Sequence, residues 1–373
     1  MRHGPEHRGG FPARDRRMTP AAKEIITRLL VAGGADRVSR LYYGGRGSIL
    51  MFHRVVDGPD GAERLHNDAL EVSASYLEQM VRFLAKDYAF IPLDGVPAYL
   101  RGNDRRRFIC LTFDDGYRET FTLAYPVLKK QGAPFTVYVA TCFPEQRAVL
   151  WHYALEDLLV AREHVEVEVD GVRRAWRLQS HDDKLAAFDD LSNCFYRADP
   201  RRRDQLCEAL FSANGIDVAA YGSRMAMSWD QVAALARDPL VSIGAHALSH
   251  VPLASLPDAE AEREMADSKR IIEERAGCAV RHFSYPFGSR GAAGPREFAL
   301  ARKTGYVTAT TTRRGNIFPE HLGHLFALPR IDTGRTRRDL TFLRSQVSGL
   351  RLFMTGHLGR MALDAPTTAG RPL

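Results

Sequence analysis

Residues 108–116, FICLTFDDG, constrain the fold more than any other stretch of the chain. Phe108, Ile109, Cys110, Leu111 and Phe113 make a short apolar run that reads as a buried strand, and the run stops at two adjacent carboxylates and a glycine. Other runs of the same kind are SILMFHRV, AFIPL, PFTVYVA, LVSIGAH, RHFSYPFG and YVTATTT. Helical patterns such as ETFTLAYPVLKKQG and DAEAEREMADSKRIIEERAG lie between several of them. Strands alternating with helices imply parallel pairing, in an open sheet or a barrel.

The rest of the chain divides around that rhythm. Residues 1–18 read as a disordered basic leader without the apolar core of a signal peptide. Thr19-Pro20 then opens a helix running to Gly33, and Ser75 with Glu78 reads as a capping box ahead of the apolar face Leu77, Met80, Val81 and Leu84. The first part of the main α/β domain is expected over 19–144 and the second over 228–350, followed by a tail at 351–373. Between them, 145–227 breaks the alternation. VEVEVDGVRRAWRL looks like a hairpin turning at Asp170-Gly171, with helical patterns in LAAFDDLSNCF and RRRDQLCEALF, so this stretch is expected to be an α+β insertion flanking the substrate groove.

Composition narrows the class. The net charge of +7 would suit an anionic partner, but Arg2, Arg8, Arg14, Arg16 and Arg17 against Glu6 and Asp15 place +3 of it in the leader. The remainder shows no basic stripe interleaved with aromatics, which argues against nucleic acid. No apolar run approaches the roughly 20 residues that span a bilayer. The five cysteines are dispersed, odd in number and without a C-x-x-C pair, as in a reduced compartment. A cytoplasmic location is the expectation.

In a parallel α/β fold, functional residues gather at the carboxyl ends of strands. Four polar groups fall there: Asp114-Asp115-Gly116, His246 with His250, His53, and Tyr285-Pro286-Phe287-Gly288. Each alone has an ordinary reading, as a turn, a cap or a core histidine. Together they offer more. Two histidines and one carboxylate form a three-ligand set with room for water, the form of a catalytic zinc site. The second carboxylate is left free to act as a base, because neighbouring residues at a strand end point in different directions. A bound cation would also offset the repulsion between the two carboxylates.

Thr112-Phe113-Asp114-Asp115-Gly116, His246-x-x-x-His250 and Tyr285-Pro286-Phe287-Gly288 resemble the first three motifs of the polysaccharide deacetylases, which include the nodulation chitooligosaccharide deacetylases. The resemblance runs from about 105 to 345. It implies a distorted (β/α) barrel and metal-dependent removal of N-acetyl, sometimes O-acetyl, groups from N-acetylglucosamine-type sugars. It further implies Asp114 as general base, Asp115, His246 and His250 as metal ligands, and the backbone N–H of Tyr285 as a donor to the oxyanion. Zinc is the expected metal, with cobalt or nickel accepted by the same donor set.

Three departures matter. The general acid of the family is usually a histidine in a late L-x-H motif. Leu322-Gly323-His324 matches literally but sits in loop-like sequence, whereas His53 ends a convincing strand, and some relatives resemble a circularly permuted form with this histidine at the front. His53 is favoured. Ser284 stands where the third motif usually begins with an arginine paired to the base. Arg330, in ALPRIDT, is a candidate substitute, and reads equally well as a structural arginine. Ala247 follows the first histidine where Ser or Thr is common, so a steadying hydrogen bond is expected to be missing. Rival readings are a non-catalytic carbohydrate-binding relative and a metal-dependent amidohydrolase for a non-sugar amide. A basic, helix-bearing N-terminus could also bring the chain to a membrane surface. Oligomeric state is not legible.

Overall fold

The computed structural model describes residues 20–354, except 58–63, 103, 105, 170–171, 199 and 335–338. The leader, the Asp170-Gly171 turn and most of the tail therefore lie outside the described residues. Strand β1 (Gly47–Phe52) leads at once into β2 (Arg54–Val56), which pairs with β3 (Glu71–Ser73) outside the main sheet. Strand β4 (Tyr88–Phe90) adds to the first half of β5 (Arg107–Phe113). Then come β6 (Phe135–Val139), a hairpin of β7 (His164–Val169) and β8 (Val172–Arg177), and finally β9 (Val241–Ala245), β10 (His282–Ser284), β11 (Thr308–Arg314) and β12 (Leu328–Asp332).

The main sheet runs β1-β12-β11-β10-β9-β6-β5, all parallel, and β1 pairs back onto β5 from Gly47↔Phe108 to Phe52↔Phe113. That closure makes a seven-strand parallel barrel with helices around it, the distorted barrel that the resemblance implied and one of the two forms that the alternation left open. Along β5, Ile109, Leu111 and Phe113 pack outward under the helical jacket, while Phe108 and Cys110 face inward. Leu93, Val96 and Leu100 pack with Ile317 and Leu322 against the inward Ile49, Phe108 and Leu328, and so close the amino-terminal end of the barrel. Gly244 lets Tyr138 sit inside, because a Cβ there would come within 2.5 Å of the tyrosine ring.

The helix Ala74–Leu84 buries Leu77, Met80, Val81 and Leu84 as its periodicity requires, but its cap is Ser73, whose hydroxyl accepts the Tyr76 N–H at 3.2 Å. The Ser75–Glu78 capping box is thus corrected: Ser75 lies inside the first turn. Residues 145–227 hold the hairpin and four helices, Trp151–Ala161, His181–Arg197, Pro200–Ala213 and Val218–Met225, two more than the sequence patterns suggested. They share a second core built on Leu155, Leu159, Val165, Phe188, Leu191 and Phe211. Glu156 ties this core to the chain after β2, where one carboxylate oxygen accepts the backbone N–H groups of Leu65, His66 and Asn67 at 3.0–3.2 Å.

Candidate active site

The carboxyl ends of β5, β9, β10, β12 and β1 converge on one polar mouth. Asp114 continues β5, with its N–H donating to the Phe52 carbonyl at 2.9 Å, and its buried carboxylate is held by Arg330 from β12. Both guanidinium N–H groups reach the two oxygens at 2.7 Å, a bidentate pair. Arg330 is itself buried and fixed by bonds to Thr112 Oγ1 (3.1 Å), Ser284 Oγ (2.9 Å) and the Thr311 carbonyl (3.0 Å). The arginine thus reaches the carboxylate from β12, while Ser284 on β10 fills the remaining space and hydrogen-bonds both partners. Burial alone would push the Asp114 carboxyl up, but the charges of Arg330 and His246 outweigh it and hold the group below the usual carboxylate range.

Asp115 turns the other way. Its φ of 74° places it in the left-handed region, and its Oδ1 lies 3.3 Å from His246 Nε2 and 3.1 Å from His250 Nε2. Burial again opposes ionisation, and His250 and His246 more than offset it, so Asp115 stays well below its ordinary value. The ligand atoms of Asp115, His246 and His250 all lie within 4.8 Å of one another. A divalent cation fits this donor set for a local reason. His246 Nδ1 is 2.7 Å from the Ser284 carbonyl, which can only accept, so Nδ1 carries a proton and Nε2 is the ring atom left to act as a ligand, beside a buried carboxylate oxygen of Asp115. A buried carboxylate oxygen flanked by two imidazole Nε2 atoms at 3.1–3.3 Å is a donor set that a divalent cation can share.

The loop carrying His250 is steadied in a way the sequence did not reveal. Glu264, on the helix Asp258–Ala276, accepts the N–H groups of Leu248 (2.8 Å) and Ser249 (3.0 Å) and the Ser249 hydroxyl (2.7 Å). Ala247 contributes no side-chain bond, but its carbonyl accepts the Thr141 N–H. Of the five non-glycine residues with positive φ among the described residues, Asp115, Ala247, His250 and Phe287 all sit here, so backbone strain is concentrated at this mouth.

His53 directly follows β1, whose last residue pairs with Phe113, and this sets it beside Asp114 at the neighbouring strand end. It is half-buried, and its charge reaches both aspartates. His324 is exposed on the loop leading into β12, beside Leu325, whose carbonyl accepts the Ala309 N–H at the start of β11. That is the amino-terminal end of the barrel, opposite the mouth. Tyr285 corrects another expectation: its N–H donates to the Thr310 carbonyl at 3.2 Å and its buried ring packs outward on Phe283 and Phe298. It is not turned toward the mouth. Phe287, two residues on, is 44% exposed with its ring centroid 5.3 Å from that of His250, and its N–H has no acceptor among the described residues. His152, from the inserted segment, also faces this region. Burial lowers it to about 4, and it feels the charges of Asp115, His250 and His53.

A barrel mouth that keeps one carboxylate ionised beside a cation-ready triad is suited to activating water against an acyl group, which puts the chain among the barrel hydrolases. The family model for polysaccharide deacetylases matches residues 101–168 and 187–309, more than half of the chain, and the chain belongs to that family. Its members are hydrolases acting on the amide bonds of acetylated sugars. Among solved structures, the deacetylase PplD of Streptococcus pyogenes, in complex with acetate, is 17% identical, with a TM-score of 0.51 over 80% of this chain and 97% of that one. A polysaccharide deacetylase from Bacillus cereus is 16% identical, with a TM-score of 0.50 over 81% of this chain and 68% of that one. These likenesses bear on the fold. No curated protein matches the chain significantly.

Proposed function

We propose that the chain is a metal-dependent deacetylase that removes N-acetyl groups from N-acetylglucosamine-type oligo- or polysaccharides, with O-acetyl sugars as the wider substrate class. The observation that carries this reading is the division of labour between adjacent carboxylates, Asp114 clamped by Arg330 and Asp115 turned to two histidines.

Asp115, His246 and His250 would hold the cation, most simply zinc, although cobalt or nickel suits the same donors. When bound, such an ion polarises an acyl oxygen and acidifies water. The rest is work for the chain. Asp114, kept ionised and oriented by Arg330, accepts the proton of the attacking water through whichever oxygen lone pair is not engaged by the guanidinium. His53, at the next strand end, delivers a proton to the departing amine. With the Tyr285 N–H engaged in the sheet, the Phe287 N–H is the backbone donor assigned to the acetyl oxygen, and the exposed Phe287 ring offers an apolar platform for a sugar face. A cytoplasmic location remains part of the proposal and is checked by fractionation.

The test is acetate release from N-acetylglucosamine oligomers by metal-loaded protein and by Asp114→Asn. Release by the wild type, lost by about 10²–10⁴-fold in a variant that still binds metal, is the expected result. A metal-loaded wild type inert on N- and O-acetylated sugars alike would overturn the reading.

A further inference from the structure

We propose that the outward face of the helix Ala35–Tyr43, with its two helical neighbours, docks on the surface of an anionic lipid bilayer. This inference stands apart from the deacetylase reading. The helix is inverted with respect to an ordinary surface helix. It buries Asp36 (3% exposed), whose Oδ2 accepts from Arg344 Nε at 2.6 Å, and Ser39, whose hydroxyl donates to the Ser348 carbonyl at 3.2 Å. Its apolar stripe instead points out, with Val38 70% and Leu41 83% exposed and Tyr42 beside them, at the i, i+3, i+4 spacing of one helical face.

The stripe is continued by its neighbours. Ile25 and Leu29, four residues apart, are exposed on Pro20–Ala32, and Phe353 is exposed on Leu350–Met354. The Phe353 ring lies 5.9 Å from Tyr43, and Tyr43 lies 4.8 Å from Tyr42. Six of the nine exposed large hydrophobics among the described residues therefore sit on these three helices, which is clustering rather than the single scatter normal for a protein surface.

Charge selects the occupant. Beside the stripe, Arg28, Arg37 and Arg344 line a cleft of about 510 Å³ between Pro20–Ala32, Ala35–Tyr43 and Leu340–Val347, floored by Gly33 and Gly34. Asp36 engages Arg344, and Asp339 and Glu24 engage Arg28, but Arg37 is exposed with no acidic partner among the described residues. The sequence immediately ahead of Pro20 adds five arginines against two acids. A second copy docking by two-fold symmetry would add no acid for Arg37 beyond those already engaged by Arg28 and Arg344, and would double the net positive charge of the sequence ahead of Pro20. Anionic headgroups supply the missing negative charge, while the apolar stripe enters the headgroup–acyl boundary. No described helix is long and apolar enough to cross a membrane, so the contact lies on the bilayer plane.

The experiment is cosedimentation of the full chain with extruded vesicles of phosphatidylcholine, alone or mixed about 2:1 with phosphatidylglycerol. Partitioning is expected to be at least about tenfold stronger on the anionic vesicles and to weaken with added salt. Arg37→Glu and the pair Val38→Ser with Leu41→Ser should each reduce it about tenfold or more, with the thermal midpoint kept because all three side chains are exposed. No binding to anionic vesicles would overturn the proposal, as would binding indifferent to these substitutions. So would a lipid-free dimer that Val38→Ser with Leu41→Ser dissociates, which would assign the face to a second copy.

Discussion

Asp114 and Arg330 form a pair in which each residue is tolerable only because of the other. Both are buried, and removing the cation leaves an uncompensated carboxylate in the barrel. Arg330→Met should therefore cost about 3–5 kcal/mol of unfolding free energy in a denaturant titration, and Asp114→Asn in that background should recover part of it. Recovery identifies the buried charge as the source of the loss; equal instability in single and double variants would point to lost packing instead. His53 and His324 make a second contrast. His53→Asn should lower turnover of an acetylated oligomer by about 10²–10⁴-fold while His324→Asn leaves it unchanged, because only His53 stands at the end of the barrel that holds the carboxylates. The sequence carried both histidines in plausible motifs. Strand-end position places them at opposite ends of the barrel, a difference that the literal motif does not carry, since a barrel sends strand ends to one mouth whereas a loop can close either end. The Tyr285 N–H could not be read in the same way, because whether a backbone donor faces substrate or the next strand depends on register.

At the scale of elements, the site is loops in strained conformations pinned by distant carboxylates. Glu264 gathers two amides and a hydroxyl of the His250 loop. Glu264→Gln weakens a charge-assisted set of bonds without removing a ligand, so metal affinity measured by chelator competition should fall about 10–100-fold while the unfolding transition stays cooperative. Unchanged affinity would show that the loop holds its shape unaided. The helix with Glu264 was evident in DAEAEREMADSKRIIEERAG, and so was its polar face, yet nothing in a run of acids tells which one turns inward to cap a loop. The Glu156 cradle under Leu65–Asn67 was hidden for the same reason. Periodic burial is legible because it repeats; a single carboxylate serving amides across the fold does not repeat. The expected loss of a steadying bond at Ala247 is accordingly supplied from outside the motif.

On the scale of the whole molecule, alternation of strand and helix specified parallel pairing but not how the sheet closes, which depends on β1 pairing with both β5 and β12 at opposite ends of the chain. The closed barrel then has two ends with different duties, and the amino-terminal end sets a limit on acid stability. His321 is buried there, and its Nδ1 accepts the Phe318 N–H at 3.0 Å. Burial lowers it from 6.5 to about 4, and burial likewise lowers His152 in the insertion to about 4. Both imidazoles are therefore neutral in the folded state over a range where the unfolded chain binds protons. Between pH 4 and 6.5 unfolding takes up protons, so stability is full above about pH 6.5 and is lost as pH falls toward 4, by up to about 1.4 kcal/mol per pH unit for each group. Protonating His321 also converts its acceptor nitrogen into a donor facing the Phe318 N–H, so the bond cannot survive the charge. His321→Gln should show lower stability at pH 7.5 but a shallower slope of urea-unfolding free energy between pH 7 and 5 than the wild type. An unaltered slope would mean that this imidazole is charged in the native barrel and that its neighbours, rather than burial, decide its protonation.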